Sequence, residues 1–277
     1  GNVQAYKYNG KELDTKKGVN WYDYGARQYD AALGRFTAVD PLTEKYYEMS
    51  PYTYCGNNPI KYIDPTGADM VIWYGDENGK QRYFMFNGIN AAQAPQNSFV
   101  KDVITAYNYN VANGGGENMQ AIATDKKMRI GVVETGYDNV YLPNANAIRF
   151  NPTAGLKLDD GNILSPATGL EHEAAHAVNN KKGVDSKIDN KYGTTEERSV
   201  IKGAELKTAK ANGELPANHP GRKSHADGQW VVTRSVISNK EFSTKSSEEL
   251  RKKSKNLEIV IRQNHEINFS HICLFTI

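Results

Sequence analysis

The sequence predicts a mixed α+β architecture. Short runs of β-branched and aromatic residues, bounded by Gly, Asn and Pro, recur up to residue 150. Helical apolar spacing takes over from residue 165. The first 67 residues have a texture of their own, which predicts a separate β module. At 277 residues the chain suffices for one large or two small domains with a core. Its 39% hydrophobic and 24% charged residues exclude wholesale disorder. A net charge of +2 gives no electrostatic footprint for nucleic acid. No apolar run approaches the ~20 residues of a membrane span. The chain begins at Gly1 inside a patterned segment and carries no signal peptide, so it reads as a fragment whose export signals lay upstream. Cys55 and Cys273, far apart, read as free thiols.

Ten of the 17 tyrosines fall within residues 1–67, interleaved with Gly, Asn, Asp and Pro. Aromatic residues favour strands and Asn-Gly or Asp-Pro favour tight turns, so short β-hairpins are expected. The runs Tyr6–Asp14, Asn20–Asp30, Leu33–Pro41, Ser50–Pro59 and Ile63–Gly67 resemble, in order, the RHS repeat-associated core domain. That resemblance implies a β-cage enclosing a variable carboxy-terminal toxin, delivered by a bacterial secretion system against other cells. It further implies a cognate immunity protein and an encapsulating RHS shell as partners. The Asp-Pro-x-Gly end resembles the family's self-cleavage region, with Asp40 and Asp64 as participants, but Ala68 stands where cleaving members carry Leu.

Beyond Gly67, Met70–Tyr74 and Gln81–Phe86 read as strands around the turn Asp76–Gly79. Ser98 is the expected N-cap of a helix with Val100, Val103, Ile104 and Tyr107 on one face, closed by Gly114–Gly116. Strands are expected at Arg129–Val133, Val140–Leu142 and Ala147–Phe150, and helices over 165–180 and about 195–212. The Lys- and Ser-rich stretch 238–257 reads as a solvated face. The domain boundaries that result are 1–67, 68–240 and a tail, 241–277.

His172-Glu-Ala-Ala-His176 is the H-E-x-x-H pattern. Residues four apart on a helix stack on one face, so both imidazoles reach one ion. Glu173, about 100° round, is placed to act as general base on a water rather than as ligand. Two imidazoles suit Zn²⁺, which predicts a zincin-like metalloprotease domain acting on a protein substrate. The bland account is a surface helix with solvated histidines. Leu170, Ala174, Ala177 and Val178 on the other face argue for a packed helix instead. Ala147–Pro152 resembles the edge strand that pairs with extended substrate in zinc proteases.

A third ligand must complete the site. Asn179 and Lys182 stand where the metzincin Gly and third His would be, which excludes that arrangement. Glu196 and Glu197 begin the next helix. On an ideal helix Glu197 shares the face of Val200 and Ile201 and turns inward, while Glu196 points nearer solvent and serves the helix dipole. Glu205 could orient an imidazole; His219 and His225 are loop alternatives. The segment Thr194–Glu205, with Gly213–Pro216, Arg222 and His225, resembles zinc metallopeptidase effector domains of secreted bacterial toxins, over about residues 129–228. By that resemblance Glu197 is the ligand, with Glu205 and Arg222 supporting the site. The insertion Asn218–Pro220 before Arg222 departs from the pattern. Two other functions compete: a nuclease-type RHS toxin, for which no basic stripe is present, and a non-enzymatic cell-surface RHS structural module.

Overall fold

A computed structural model describes residues 6–8, 11–14, 20–23, 28–38, 69–125 and 128–263. They form a mixed α+β structure. The chain divides into two compact units: one reaches Asp69 and includes 125–127, and the other holds Met70–Thr124 and everything from Met128. Asp40, Cys55, Asp64 and Cys273 lie outside the described residues.

The first unit is an antiparallel meander of β1 (Tyr6–Tyr8), β2 (Lys11–Asp14), β3 (Trp21–Asp23), β4 (Gln28–Asp30) and β5 (Arg35–Phe36). Tyr29 and Phe36 are cross-strand partners, both buried, with rings edge-to-face at 6.2 Å. Asp30 Oδ1 accepts the N–H groups of Ala32 and Leu33, closing the turn after β4.

In the second unit β6 (Asp69–Gly75) and β7 (Gln81–Phe86) form a hairpin. Asp76 Oδ1 closes its turn by accepting from Asn78 and Lys80 N–H. With β8 (Arg129–Glu134), β9 (Val140–Leu142) and β10 (Ala147–Phe150) they make a five-stranded sheet in the order β7-β6-β8-β10-β9. One core joins this sheet to three helices, α1 (Ser98–Ala112), α2 (Glu117–Thr124) and α3 (Pro166–Lys182). Met70, Ile72, Phe86, Ile130, Ile148 and Phe150 meet Phe99, Val103, Met119, Ile122, Leu170 and Ala174 there. Leu170 is fully buried, so Leu170→Ala would cost ~2–5 kcal/mol.

Two expectations change at this point. The N-cap of α1 is Asn97, whose side chain accepts from Val100 N–H, with Ser98 already helical. Ala147–Phe150 is not an edge: β10 pairs parallel with β8 and antiparallel with β9, and β9 is the outer strand.

The remaining elements complete the second unit. β11 (Ala154–Lys157) sits between β12 (Ile163–Leu164) and β15 (Gln229–Val232) in a small antiparallel sheet. β13 (Ile188–Asp189) and β14 (Gly193–Thr194) lead into α4 (Thr195–Val200), a π-helical stretch (Ile201–Glu205) and α5 (Leu206–Ala211). α6 (Thr244–Gln263) presents the expected solvated face, with Lys245, Glu248, Glu249, Lys252, Lys253 and Lys255 exposed, and also a packed one: Ser247, Leu250 and Ser254 are buried. Ser247 Oγ accepts from Val232 N–H and Arg251 donates to Trp230 O, so α6 satisfies the outer edge of β15. No described helix is long and apolar enough to cross a membrane.

Candidate metal centre

α3 is punctuated as its sequence suggests. Ser165 Oγ accepts from Thr168 N–H, Pro166 takes the first turn, and Gly183 ends the helix with φ of 65°. Its inner face is Leu170, Ala174, Ala177 and Val178. His172, Glu173 and His176 line a cavity of about 590 Å³.

The two imidazole Nε2 atoms lie 3.0 Å apart. Glu197 approaches from α4, Oε2 3.0 Å from His176 Nε2 and Oε1 3.6 Å from His172 Nε2. Donor atoms of these three residues lie within 4.8 Å of one another. Two ligands about 2.1 Å from a shared tetrahedral ion stand roughly 3.4 Å apart, so the spacing suits a single cation. Glu197 Oε1 is buried without a hydrogen-bond partner, the Arg222 guanidinium standing 3.8 Å from it, and a closer cation would offset the cost of its burial.

A second ring of carboxylates holds the far side of each imidazole. Glu196 Oε2 is 2.9 Å from His176 Nδ1, and Asn179 donates to its Oε1 at 2.6 Å. This corrects the expectation that Glu196 turns to solvent. Glu205 Oε2 lies 2.9 Å from His172 Nδ1, out of ideal hydrogen-bonding alignment. Arg222 grips Glu205 with two hydrogen bonds, at 2.9 and 2.8 Å.

The π-helical stretch explains how Glu197 and Glu205 face the same imidazole. Eight α-helical steps of about 100° would leave them about 80° apart. A π turn is one residue wider, with steps of roughly 80°, and five of these bring the pair nearly into line. Thr194 Oγ1 caps α4 by accepting Glu197 N–H. Thr194-Thr-Glu-Glu197 therefore has capping-box spacing, but its glutamate carboxylate is turned to the imidazoles.

Charge follows from these contacts. Burial opposes charge on His176, but the carboxylates of Glu196 and Glu197 win and hold its imidazolium up to about 10. Burial would raise Glu205; Arg222 and His172 instead pull it down to about 2. Burial likewise works against Glu197, whose carboxyl is nonetheless lowered, chiefly by His176. Four carboxylates thus face two imidazoles and one guanidinium, a set that a divalent cation would balance.

Glu173 is not among the three donors. Its Oε2 accepts Tyr141 N–H, from β9, at 2.7 Å. His225 is exposed at the rim, Nε2 3.9 Å from Glu197 Oε1. His219 is not brought to the site: it pairs with Asp160 at 2.6 Å.

No protein-family model and no solved structure matches the chain. A stretch of 67 residues, 24% of the chain, is 48% identical to Salivary gland surface protein 1 of Aedes aegypti. The match spans 2% of that protein.

Sequence reasoning missed the anchoring of the general-base candidate by Tyr141 and the pairing of Glu196 with His176. Nothing local signals the first, because Tyr141 and Glu173 are 32 residues apart. The second had a trace: Asn179, one turn beyond the histidines, holds the same carboxylate. Tyr192 adds a further support, its hydroxyl donating to Arg222 O at 3.3 Å.

Proposed function

We propose that the second unit is a zincin-like, zinc-dependent endopeptidase domain. The observation that carries this reading is the convergence of His172, His176 and Glu197 within one cation's reach, with Glu173 beside them in the same cavity. When bound, zinc supplies Lewis acidity and lowers the pKa of a water toward neutrality. Glu173 takes the proton of the attacking water and returns it to the leaving amine. Tyr141 N–H, fixed on Oε2, aims that carboxylate and leaves Oε1 for the proton. Glu196 and Glu205 set the rotation of the imidazoles, and Arg222 keeps Glu205 ionised inside the fold.

The wider role, a toxin carried behind an RHS core and neutralised by an immunity protein, rests on the resemblance of residues 4–67. The Aedes aegypti relative's name speaks of a salivary gland and a surface. It says nothing of hydrolysis. The deciding experiment pairs elemental analysis with mapping of new amino termini in cells expressing residues 68–277. About one zinc per chain is expected, with cleavage that vanishes in Glu173→Gln. Zinc below a tenth of that in protein never exposed to chelator would end this reading.

A further inference from the structure

We propose that the cavity contains, beside the candidate metal centre, a subsite for one bulky apolar side chain, of leucine or phenylalanine size, flanking the scissile bond. This rests on the peptidase reading above. The cavity has two kinds of wall. Around His172, His176 and Glu197 it is charged; the other wall is one face of the small β12-β11-β15 sheet.

Leu156 is the cross-strand partner of both Leu164 and Trp230, so the three side chains stand in one row on one face. All three line the cavity, as does Ala154, two residues back on β11 and on the same face. The polar members of these strands occupy the opposite face. Lys157 is in register with Ile163 and Gln229, and its Nζ pairs with Glu241 at 3.2 Å.

Ala154 and Leu164 are buried, Leu164 in a small core with Leu158, Ala209 and Leu215 that supports Leu156 from behind, while Leu156 and Trp230 are only partly buried and line the cavity. Gly169, one turn before His172 and Glu173 on α3, lines the same cavity and adds no side chain to it. The row is also held in place, because Arg251 of α6 donates to Trp230 O and Ser247 accepts from Val232 N–H. Apolar area left open next to a charged cluster gains free energy only when a ligand covers it. An acidic side chain would meet the carboxylates already there and is the least suitable occupant.

The test uses zinc-loaded full chain and peptide hydroxamates that differ in one side chain: Leu, Phe, Gly or Asp. Metal content is measured alongside. The Leu and Phe compounds are expected to bind about 10- to 100-fold tighter than the Gly compound, as burial of one such side chain implies. The Asp compound should be weakest. Tryptophan emission should shift to the blue with the Leu and Phe compounds. In Trp230→Ala the Leu-over-Gly ratio should shrink several-fold, with affinity for the Gly compound unchanged. Should that variant not fold, the wild-type ranking and emission shift decide. Equal affinities in a protein that holds zinc and binds the Gly compound overturn the subsite alone. A chain that takes up no zinc overturns the peptidase reading and the subsite with it.

Discussion

Glu171, in the first half of α3, gives both carboxyl oxygens to neutral donors: Oε1 to Asn118 N–H and Nδ2, Oε2 to Met119 N–H. Glu214, beyond α5, accepts from Ser165 N–H and the Thr168 hydroxyl. Round His172 and His176 of the same helix, Glu196, Glu197 and Glu205 of the next one face imidazoles and a guanidinium. Glu205 and Glu214 are both buried, yet their protons behave oppositely. Burial pushes Glu171 and Glu214 up to about 7, because amide and hydroxyl donors do not offset the lost hydration. Arg222 and His172 hold Glu205 at about 2 against the same burial. A buried carboxyl that titrates near neutrality can serve as a neutral strut; one that stays ionised among cationic groups keeps its negative charge beside the metal-binding imidazoles.

Substitutions can break this contrast, and the largest effects belong to the groups round the candidate metal centre. His176→Ala should abolish zinc binding and activity together, read by metal titration and peptide cleavage. Glu173→Gln should keep the metal and lose ~10²–10⁴-fold in turnover; release of zinc by that change would remove Glu173 from the role of base. Glu205→Gln and Glu196→Gln should each weaken zinc by about 10–100-fold, as groups that orient metal-bound imidazoles do. Near-equal losses would place the two carboxyls in one class, and an unchanged affinity in Glu196→Gln would return that residue to a purely helix-capping part.

The two carboxyls held by neutral donors give a smaller, pH-dependent effect. Glu171 and Glu214 titrate higher folded than unfolded, so the folded chain holds extra protons between about pH 4.5 and 7. Their contribution is therefore fully present at low pH and is lost as pH rises toward and through 7, by up to about 1.4 kcal/mol per pH unit for each group. Glu214→Gln should flatten that slope in denaturant titrations of metal-free protein and leave zinc affinity unchanged. A slope equal to the wild type's would show that Glu214 is ionised throughout. Smallest of all should be the effect of removing residues 1–67, expected to leave zinc affinity within about twofold, since every donor lies in the second unit.

The parts of this arrangement that the sequence displays are those built from local repetition. β6 to β10 show alternation with turn residues between, and α3 shows Ser-Pro at its start, Gly at its end and histidines one turn apart. α2 was missed because it has eight residues and part of its N-terminal capping comes from Glu171, more than fifty positions away. β11, β12 and β15, two to four residues each, are too short to carry a period. The inward turn of Glu197 toward His172 and His176 was legible because it lies on the α-helical part of its helix, where an ideal wheel holds. Glu196 was misplaced because that wheel places the backbone, whereas a glutamate side chain is long enough to bend back to His176.

The five π-helical residues Ile201–Glu205 have a consequence for the length of this chain rather than its chemistry. A π turn is an α turn with one residue more, so the helix from Thr195 to Ala211 stores an angular phase as a residue count. Exchanging Lys202 or Gly203 for another residue changes side chains but keeps that count. Deleting one residue there lets the stretch return to α-helix, and seven steps of about 100° leave Glu205 nearly in line with Glu197, whereas adding one α-helical residue swings Glu205, together with its grip on Arg222, about 100° away from His172. The combination of eight residues with one π turn is thus itself a functional quantity, one that counts positions and is indifferent to most of the residues that fill them.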